Sequence, residues 1–358
     1  MAASRLRIGV LGASRIGFKA LVPAIQASRN AEVVAVASRD GDRARAFAAQ
    51  LGIARPYATY EALLDDPDVD AVYVSLPTAL HGEWGVRAAE KHKHILCEKP
   101  LATTAPEGRA MQAAADARGV ILMEAFMYRF HPRTTRLLEL VRSHGGAMSG
   151  IHSAFTFVPP AISIFTRVRQ KLGAVRRRII PPALWPERVA SAVDLGRGAL
   201  FGLGSYCVDL GRLLAGSPPI DAKAVATWSR NGVDEHLTGS LRFPSGVTMD
   251  FECGRATGAR QTARVQVSET FLTAERCFVP GRGPTEILEE RGTSVTRHTI
   301  DPQDQYRLMV EHFADAALMG TPLRYGIADS AANLAAIAAL YESARSGGRP
   351  VTVQTLIQ

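Results

Sequence analysis

The sequence predicts an α/β protein with an N-terminal doubly wound Rossmann domain. An α+β region on a large, mostly antiparallel open sheet follows it. Three observations carry this. From Leu6 to Met123, short apolar, β-branched runs alternate with helical patterns. A glycine-marked turn follows the first run. Beyond about Ile151 the runs succeed one another with only tight turns between them. The 358 residues suffice for two units of ~150 residues each, and a chain of that length buries most of its apolar surface without staples. With 47% hydrophobic and 21% charged residues, composition excludes a disordered, collagen-like or disulfide-scaffold chain. The expected division is residues 1–125 and 126–358.

In order, Leu6–Leu11 (LRIGVL) reads as a strand, 18–28 as a helix, and 32–37 (EVVAVA) as a strand. Residues 40–51 form a helix capped by Asp40 or Asp42. Val69–Val74 is a strand, Ala79–Glu90 a helix, His94–Cys97 a strand, Ala105–Arg118 a helix and Val120–Met123 a strand. In the second half, strands are expected at His152–Val158, Ala222–Trp228, Thr238–Phe243, Val247–Cys253, Ala263–Val267, Phe271–Ala274 and Thr296–Ile300. Helices at Gln303–Met319 and Ser330–Ser346 close the chain.

The turn after the first strand reads Gly12-Ala13-Ser14-Arg15-Ile16-Gly17. A dinucleotide turn needs one glycine for the tight bend, a small residue where backbone meets pyrophosphate, and another where helix packs on strand. Ser14 stands at the middle position; it is small, and its hydroxyl and N–H suit a phosphate at a helix N-terminus. The alternative is an ordinary β–α turn. The second strand ends in Ser38-Arg39, where an NAD-preferring site places an acid. A hydroxyl followed by a guanidinium suits a 2′-phosphate, so NADP(H) is expected over NAD(H), a plain surface arginine being the alternative.

Further on stand Ser75-Leu76-Pro77-Thr78-Ala79-Leu80-His81, then Cys97-Glu98-Lys99-Pro100, then Glu124-Ala125-Phe126-Met127-Tyr128-Arg129-Phe130-His131-Pro132. These segments resemble the Gfo/Idh/MocA family (glucose-fructose oxidoreductase / inositol dehydrogenase). The Glu-Lys-Pro triplet is the most specific of the signatures. The resemblance spans about Leu6 to Val353 and is nearest to the branch containing dihydrodiol dehydrogenase and glucose-fructose oxidoreductase. It implies that Lys99 lies beside the nicotinamide and acts on the substrate oxygen. It also places Ser75, Leu76, Pro77, His81, Glu98 and Arg129 with the cofactor-binding residues. On residue chemistry alone, a lysine at the carboxyl end of a parallel strand sits in the ligand crevice, where it can hold or donate a proton. A solvent-facing lysine is the competing reading.

The segment Gly196–Asp209 resembles the family's second catalytic stretch and puts Tyr206 at its His/Tyr position. A phenol beside an ammonium has its pKa lowered and can serve as proton donor; the alternative is a tyrosine packed in the core. The aspartate that the pattern expects four residues earlier is Gly202 here, and Asp209 is not given its role. Activity then survives through Lys99 and Tyr206, shifts substrate, or is lost.

The net charge is +8, with 42 Lys+Arg against 34 Asp+Glu, and the sequence pI is about 9.6. Residues 161–190, read as an insertion, hold seven basic side chains and one acidic, and so carry six of the eight net charges. Phe165, Val168, Leu172, Val175 and Ile179 recur at helical spacing, with the arginines mostly off that face. Three roles are open: a helix docked on its own domain or a dimer mate, a lid over an anionic substrate such as a nucleotide sugar, or weak membrane-surface contact through 161–180. Nucleic acid is not expected as a partner, because basic and aromatic residues are not interleaved.

The four cysteines form no CxxC pair and the histidines lack ligand spacing, so reduced thiols and no metal are expected. The N-terminus shows no signal-peptide pattern, and a cytoplasmic homodimer or homotetramer is expected. The functional expectation is NADP(H)-linked oxidation or reduction of a sugar-like or cyclic alcohol or ketone. The rivals are a hydrolase or isomerase that keeps its nucleotide, and a non-catalytic nucleotide-bound sensor or scaffold.

Overall fold

The first strand, β1 (Leu6–Leu11), is almost wholly buried and pairs in parallel with β2 (Ala31–Ala37) on one side and β4 (Ala71–Val74) on the other. In the computed structural model, which describes residues 5–145, 148–158 and 198–354, this strand is the centre of a parallel sheet. Its order is β3-β2-β1-β4-β5-β6, where β3 is Arg55–Tyr57, β5 is His94–Cys97 and β6 is Leu122–Glu124. The strand order reverses between β1 and β4, so the crevice beyond their carboxyl ends is the place for a ligand.

The connecting helices follow local sequence logic. The Gly17–Leu21 stretch winds as a π-helical turn into α1 (Val22–Ala27). Asp40 caps α2 (Gly41–Leu51) by accepting from the Asp42 and Arg43 N–H groups. A short α3 (Tyr60–Leu64) precedes β4. Then come α4 (His81–Glu90) and α5 (Ala105–Arg118), the latter capped by Thr104. Successive β4 residues face opposite sides. Val72 and Val74 join the core under α4 and α5, whereas Tyr73 joins the larger core shared with the second sheet.

After α6 (Pro132–Ser143) the chain enters β7 (Met148–Phe157). Among the described residues it then forms α7 (Ser205–Ala215), β8 (Asp221–Trp228), β9 (Asp234–Arg242), β10 (Thr248–Arg255), β11 (Arg260–Val267) and β12 (Thr270–Glu275). A hairpin of β13 (Thr285–Arg291) and β14 (Ser294–Ile300), α8 (Gln305–Met319), α9 (Ile327–Arg345) and a short β15 (Val351–Thr352) complete the set. The strands make one sheet, β14-β13-β12-β11-β7-β10-β9-β8-β15, antiparallel except where β10 runs parallel to β7. The largely antiparallel sheet expected from the sequence is therefore present.

Three strands lie outside the sequence expectations: β3, β13 and the two-residue β15. β3 has only three residues, too few for a periodic signal. β13 (TEILEER) carries three glutamates and pairs on both sides through its backbone, which composition does not reveal. The basic 161–190 segment lies outside the described residues. α8 belongs to the second half by sequence but packs on α1 and on the Met127–Phe130 turn, tying the two sheets together. Among the described residues no helix is long and apolar enough to cross a membrane.

Candidate active site

Gly12 ends β1 with φ +99°, a conformation that favours glycine. A Cβ there would lie 2.9 Å from the Leu76 side chain and 3.1 Å from the Ser75 carbonyl oxygen. The Ser75 hydroxyl reaches the Gly12 carbonyl at 2.9 Å and that of Leu11 at 3.0 Å, so the turns after β1 and β4 are clamped together. Ala13 is buried, and Arg15 and Ile16 stand exposed at the start of the following helical turn. The Gly17 N–H donates to the Ser14 hydroxyl at 3.0 Å. Ser14 therefore caps that helix, and the hydroxyl keeps its own hydrogen to offer a phosphate.

At the end of β2, Ser38 is buried and accepts from the Asp40 N–H at 3.3 Å, while Arg39 is exposed. A third basic-site residue, Arg43, was not singled out from the sequence. From the first turn of α2 its guanidinium donates to the Ala13 carbonyl at 2.6 Å. Its Nε is buried with no partner among the described residues. Burial holds its pKa below the usual arginine value. The sequence signal was its place one helical turn after Arg39. The glycine cradle, the helix start and an orphaned guanidinium N–H fit a phosphate-bearing dinucleotide.

Lys99 sits just beyond β5. Its Nζ donates to the Gly202 carbonyl at 2.5 Å and lies 4.4 Å from the centre of the Tyr206 ring. Burial lowers the ammonium to about 8, with Glu98 and Glu124 pulling it back up. Glu98 accepts from the Tyr73 hydroxyl at 2.6 Å and from the Lys99 N–H at 3.3 Å. Burial raises the Glu98 carboxyl. Glu124 ends β6 and accepts from the Leu101 N–H at 2.8 Å, which fixes the turn that carries Lys99. Burial pushes Glu124 up to about 7.

Three expectations need correction. Tyr206 does meet Lys99, but through its ring; its hydroxyl points to the Met127 sulfur at 3.3 Å. Burial raises this phenol well above its ordinary value, so the ammonium does not lower it. Arg129 does not line the crevice. It is buried and pairs with both oxygens of Asp209 and, at 2.6 Å, with Asp329. Tyr128 also donates to Asp209, and Arg212 donates to Asp329 at 2.8 Å. Withdrawing Arg129 toward a ligand would leave the buried Asp209 carboxylate without its two-oxygen partner. His81 is only 1% exposed. Its ring lies between the Leu76 carbonyl (2.9 Å) and the Pro100 carbonyl (3.0 Å), so it braces the two turns that flank the crevice and does not face into it. Burial keeps this ring neutral, and a neutral imidazole donates to one of the two carbonyls at a time. Pro77 opens the short turn leading to His81.

Comparison with known proteins agrees with this fold. Residues 6–126 match the model of the oxidoreductase family with an NAD-binding Rossmann fold, and residues 167–272 match the GFO/IDH/MocA C-terminal domain. The second match begins inside 161–190, so most of that segment, read above as an insertion, falls within the stretch the family model covers. A D-xylose 1-dehydrogenase (NADP(+)) of Haloferax volcanii is 40% identical over 344 residues, covering 96% of this chain and 98% of that one. A mouse trans-1,2-dihydrobenzene-1,2-diol dehydrogenase is 29% identical, covering 77% and 76%. Among solved structures, KijD10, a 3-ketoreductase from Actinomadura kijaniata in complex with NADP and TDP-benzene, superposes with TM-score 0.81. It is 29% identical, with 95% of this chain and 98% of that one covered. By its two matching domain models and by a relative 40% identical over nearly its whole length, the chain belongs to the Gfo/Idh/MocA family of oxidoreductases.

Proposed function

We propose that this protein is an NADP(H)-dependent oxidoreductase that moves a hydride between the nicotinamide and a carbon of a sugar-like alcohol or ketone. Lys99 handles the proton of the substrate oxygen. The observation that carries this reading is the state of Lys99. It is half-buried at the carboxyl end of β5, in the crevice that Gly12 and Ser75 open, and its amine is poised at about 8. When bound, the nicotinamide supplies or accepts the hydride. The chain's part is to orient the substrate and carry the proton.

Gly202 does not deprive Lys99 of an acceptor, because the backbone carbonyl at that position takes the hydrogen bond a carboxylate would otherwise take. Tyr206 supports the ammonium with its ring face. Among the described residues its hydroxyl is held only by a thioether, a weak acceptor. A substrate oxygen outcompetes such a partner, so Tyr206 is assigned as the second proton-handling group. Ser38, Arg39 and Arg43 are assigned to the 2′-phosphate, with Gly12, Ala13, Ser14, Arg15 and Ile16 at the pyrophosphate.

The relatives named as a xylose dehydrogenase and as a ketoreductase solved with TDP-benzene point to two substrate forms, a free sugar and a nucleotide sugar. The test is a screen of D-xylose with NADP+ and of dTDP-linked keto sugars with NADPH, following nicotinamide absorbance. Turnover stoichiometric with cofactor, lost in Lys99→Ala, is expected. Product formation without net cofactor consumption would instead show a nucleotide-retaining hydrolase or isomerase. NADP(H) binding with no turnover on any sugar would show a sensor.

A further inference from the structure

Tyr73 lies in the middle of β4 with no exposed surface. Strand alternation turns its side chain to the face shared with the second sheet, away from Val72 and Val74. Its ring packs under the cofactor turn, where a Cβ added to Gly17 would stand 3.7 Å from the ring edge. A buried phenol must place its O–H on a partner, and here that partner is Glu98, at 2.6 Å. Because β4 and β5 pair in parallel with Val74 opposite Cys97, Glu98 emerges beside the end of β4. From there its second oxygen reaches the Lys99 N–H.

We propose that Tyr73 is a positioning residue for Lys99. From beneath the cofactor turn its hydroxyl fixes the Glu98 carboxylate, and Glu98 in turn holds the Lys99 backbone and supports its ammonium. The proposal rests on the reading of Lys99 as the proton carrier. It adds a residue that no sequence motif marks.

The groups facing this pair come from every surrounding element. Tyr306 of α8 faces Glu98, Glu124 of β6 acts on Lys99, and the Tyr206 ring of α7 lies against the ammonium. The Tyr73 hydrogen bond and the Lys99 charge both favour the ionised form of Glu98, against burial. Removing the hydroxyl frees the Glu98 carboxylate to turn away, so its negative charge is less well placed beside Lys99. The amine then gives up its proton at lower pH.

The experiment needs no substrate. The intact protein is labelled with acetic anhydride across a pH series. Peptide mass spectrometry then reads Lys99 acetylation against exposed Lys19. The wild-type midpoint is expected near 8. Tyr73→Phe should lower it by about half a unit or more. Glu98→Gln should lower it as well, and the double variant should go no lower than Glu98→Gln alone. A Tyr73→Phe protein with wild-type melting behaviour and an unchanged midpoint overturns the proposal. If Tyr73→Phe folds poorly, an unchanged midpoint in Glu98→Gln overturns it instead. A Lys99→Ala protein with wild-type turnover refutes the catalytic reading without altering the labelling result, so the two failures are told apart.

Discussion

Two charge clusters meet helix α7, one at Tyr206 and one at Asp209, and they are built on opposite plans. Around Arg129, every charge meets its opposite. Asp209 takes the guanidinium through both oxygens and the Tyr128 hydroxyl as well, and Asp329 is shared between Arg129 and Arg212. Around Lys99 there is one cation with two carboxyls that burial raises, and the amine's hydrogen bond goes to a backbone carbonyl. The charge-balanced cluster fastens the Met127–Phe130 turn to α7 and α9. In the other, burial lowers the Lys99 ammonium to about 8. What separates the two clusters is their balance of charge: two cations against two carboxylates around Arg129, one cation between two carboxyls around Lys99.

The largest effect should fall on the charge-balanced side. Asp209→Ala should cost about 3–5 kcal/mol of stability, read from denaturant midpoints, because it leaves two buried arginines short of a partner. A shift under ~1 kcal/mol would mean that water already reaches this cluster. Lys99→Ala should lower kcat by ~10²–10⁴-fold. Lys99→Met should leave the melting temperature unchanged or raise it, since the substitution removes a charge that burial disfavours. Equal destabilisation by Asp209→Ala and Lys99→Met would erase the contrast.

Smaller effects sharpen it. Arg43→Ala and Arg39→Asp should each weaken NADPH binding by about 10–100-fold while sparing NADH, as expected for a lost charge-assisted hydrogen bond of ~1.5–3 kcal/mol. NADH bound more tightly than NADPH by the wild type would refute the 2′-phosphate site. Tyr206→Phe should lower kcat by about tenfold, the size of one hydrogen bond at ~1.4 kcal/mol. No loss would reduce the tyrosine to a support for Lys99. For Lys99 the folded value lies below the ordinary lysine value, so the neutral amine prevails above about 8. Oxidation, which needs a base, should rise through that pH, and reduction, which needs an acid, should fall. A profile with the opposite slopes would remove Lys99 from proton transfer.

Much of the site was legible because it is local. Gly12 must bend the chain at the end of a strand, Asp40 must cap a helix, and Glu98-Lys99-Pro100 must follow a parallel strand. Each is a short-range demand written in adjacent residues. Arg43 was half visible, one turn beyond Arg39, yet nothing in the sequence said its side chain would reach back to Ala13. Tyr73 was hidden inside an apolar run that reads as a buried strand. Arg129 was misplaced for the opposite reason. It follows the last parallel strand, where crevice residues gather, but its partners lie 80 and 200 residues further along the chain.

The sequence by itself determined the alternation of strands and helices in the first half, the antiparallel character of the second sheet and the glycine turn after β1, because hydrophobic period, glycine conformation and capping act within a few residues. Tertiary structure alone decided which buried charges meet an opposite charge and which do not. That depends on the pairing of β4 with β5, on α8 and α9 returning against the first sheet, and on α7 bringing Tyr206 to Lys99 and Asp209 to Arg129. Electrostatic balance in a low-dielectric interior is set by neighbours in space, whatever their separation along the chain.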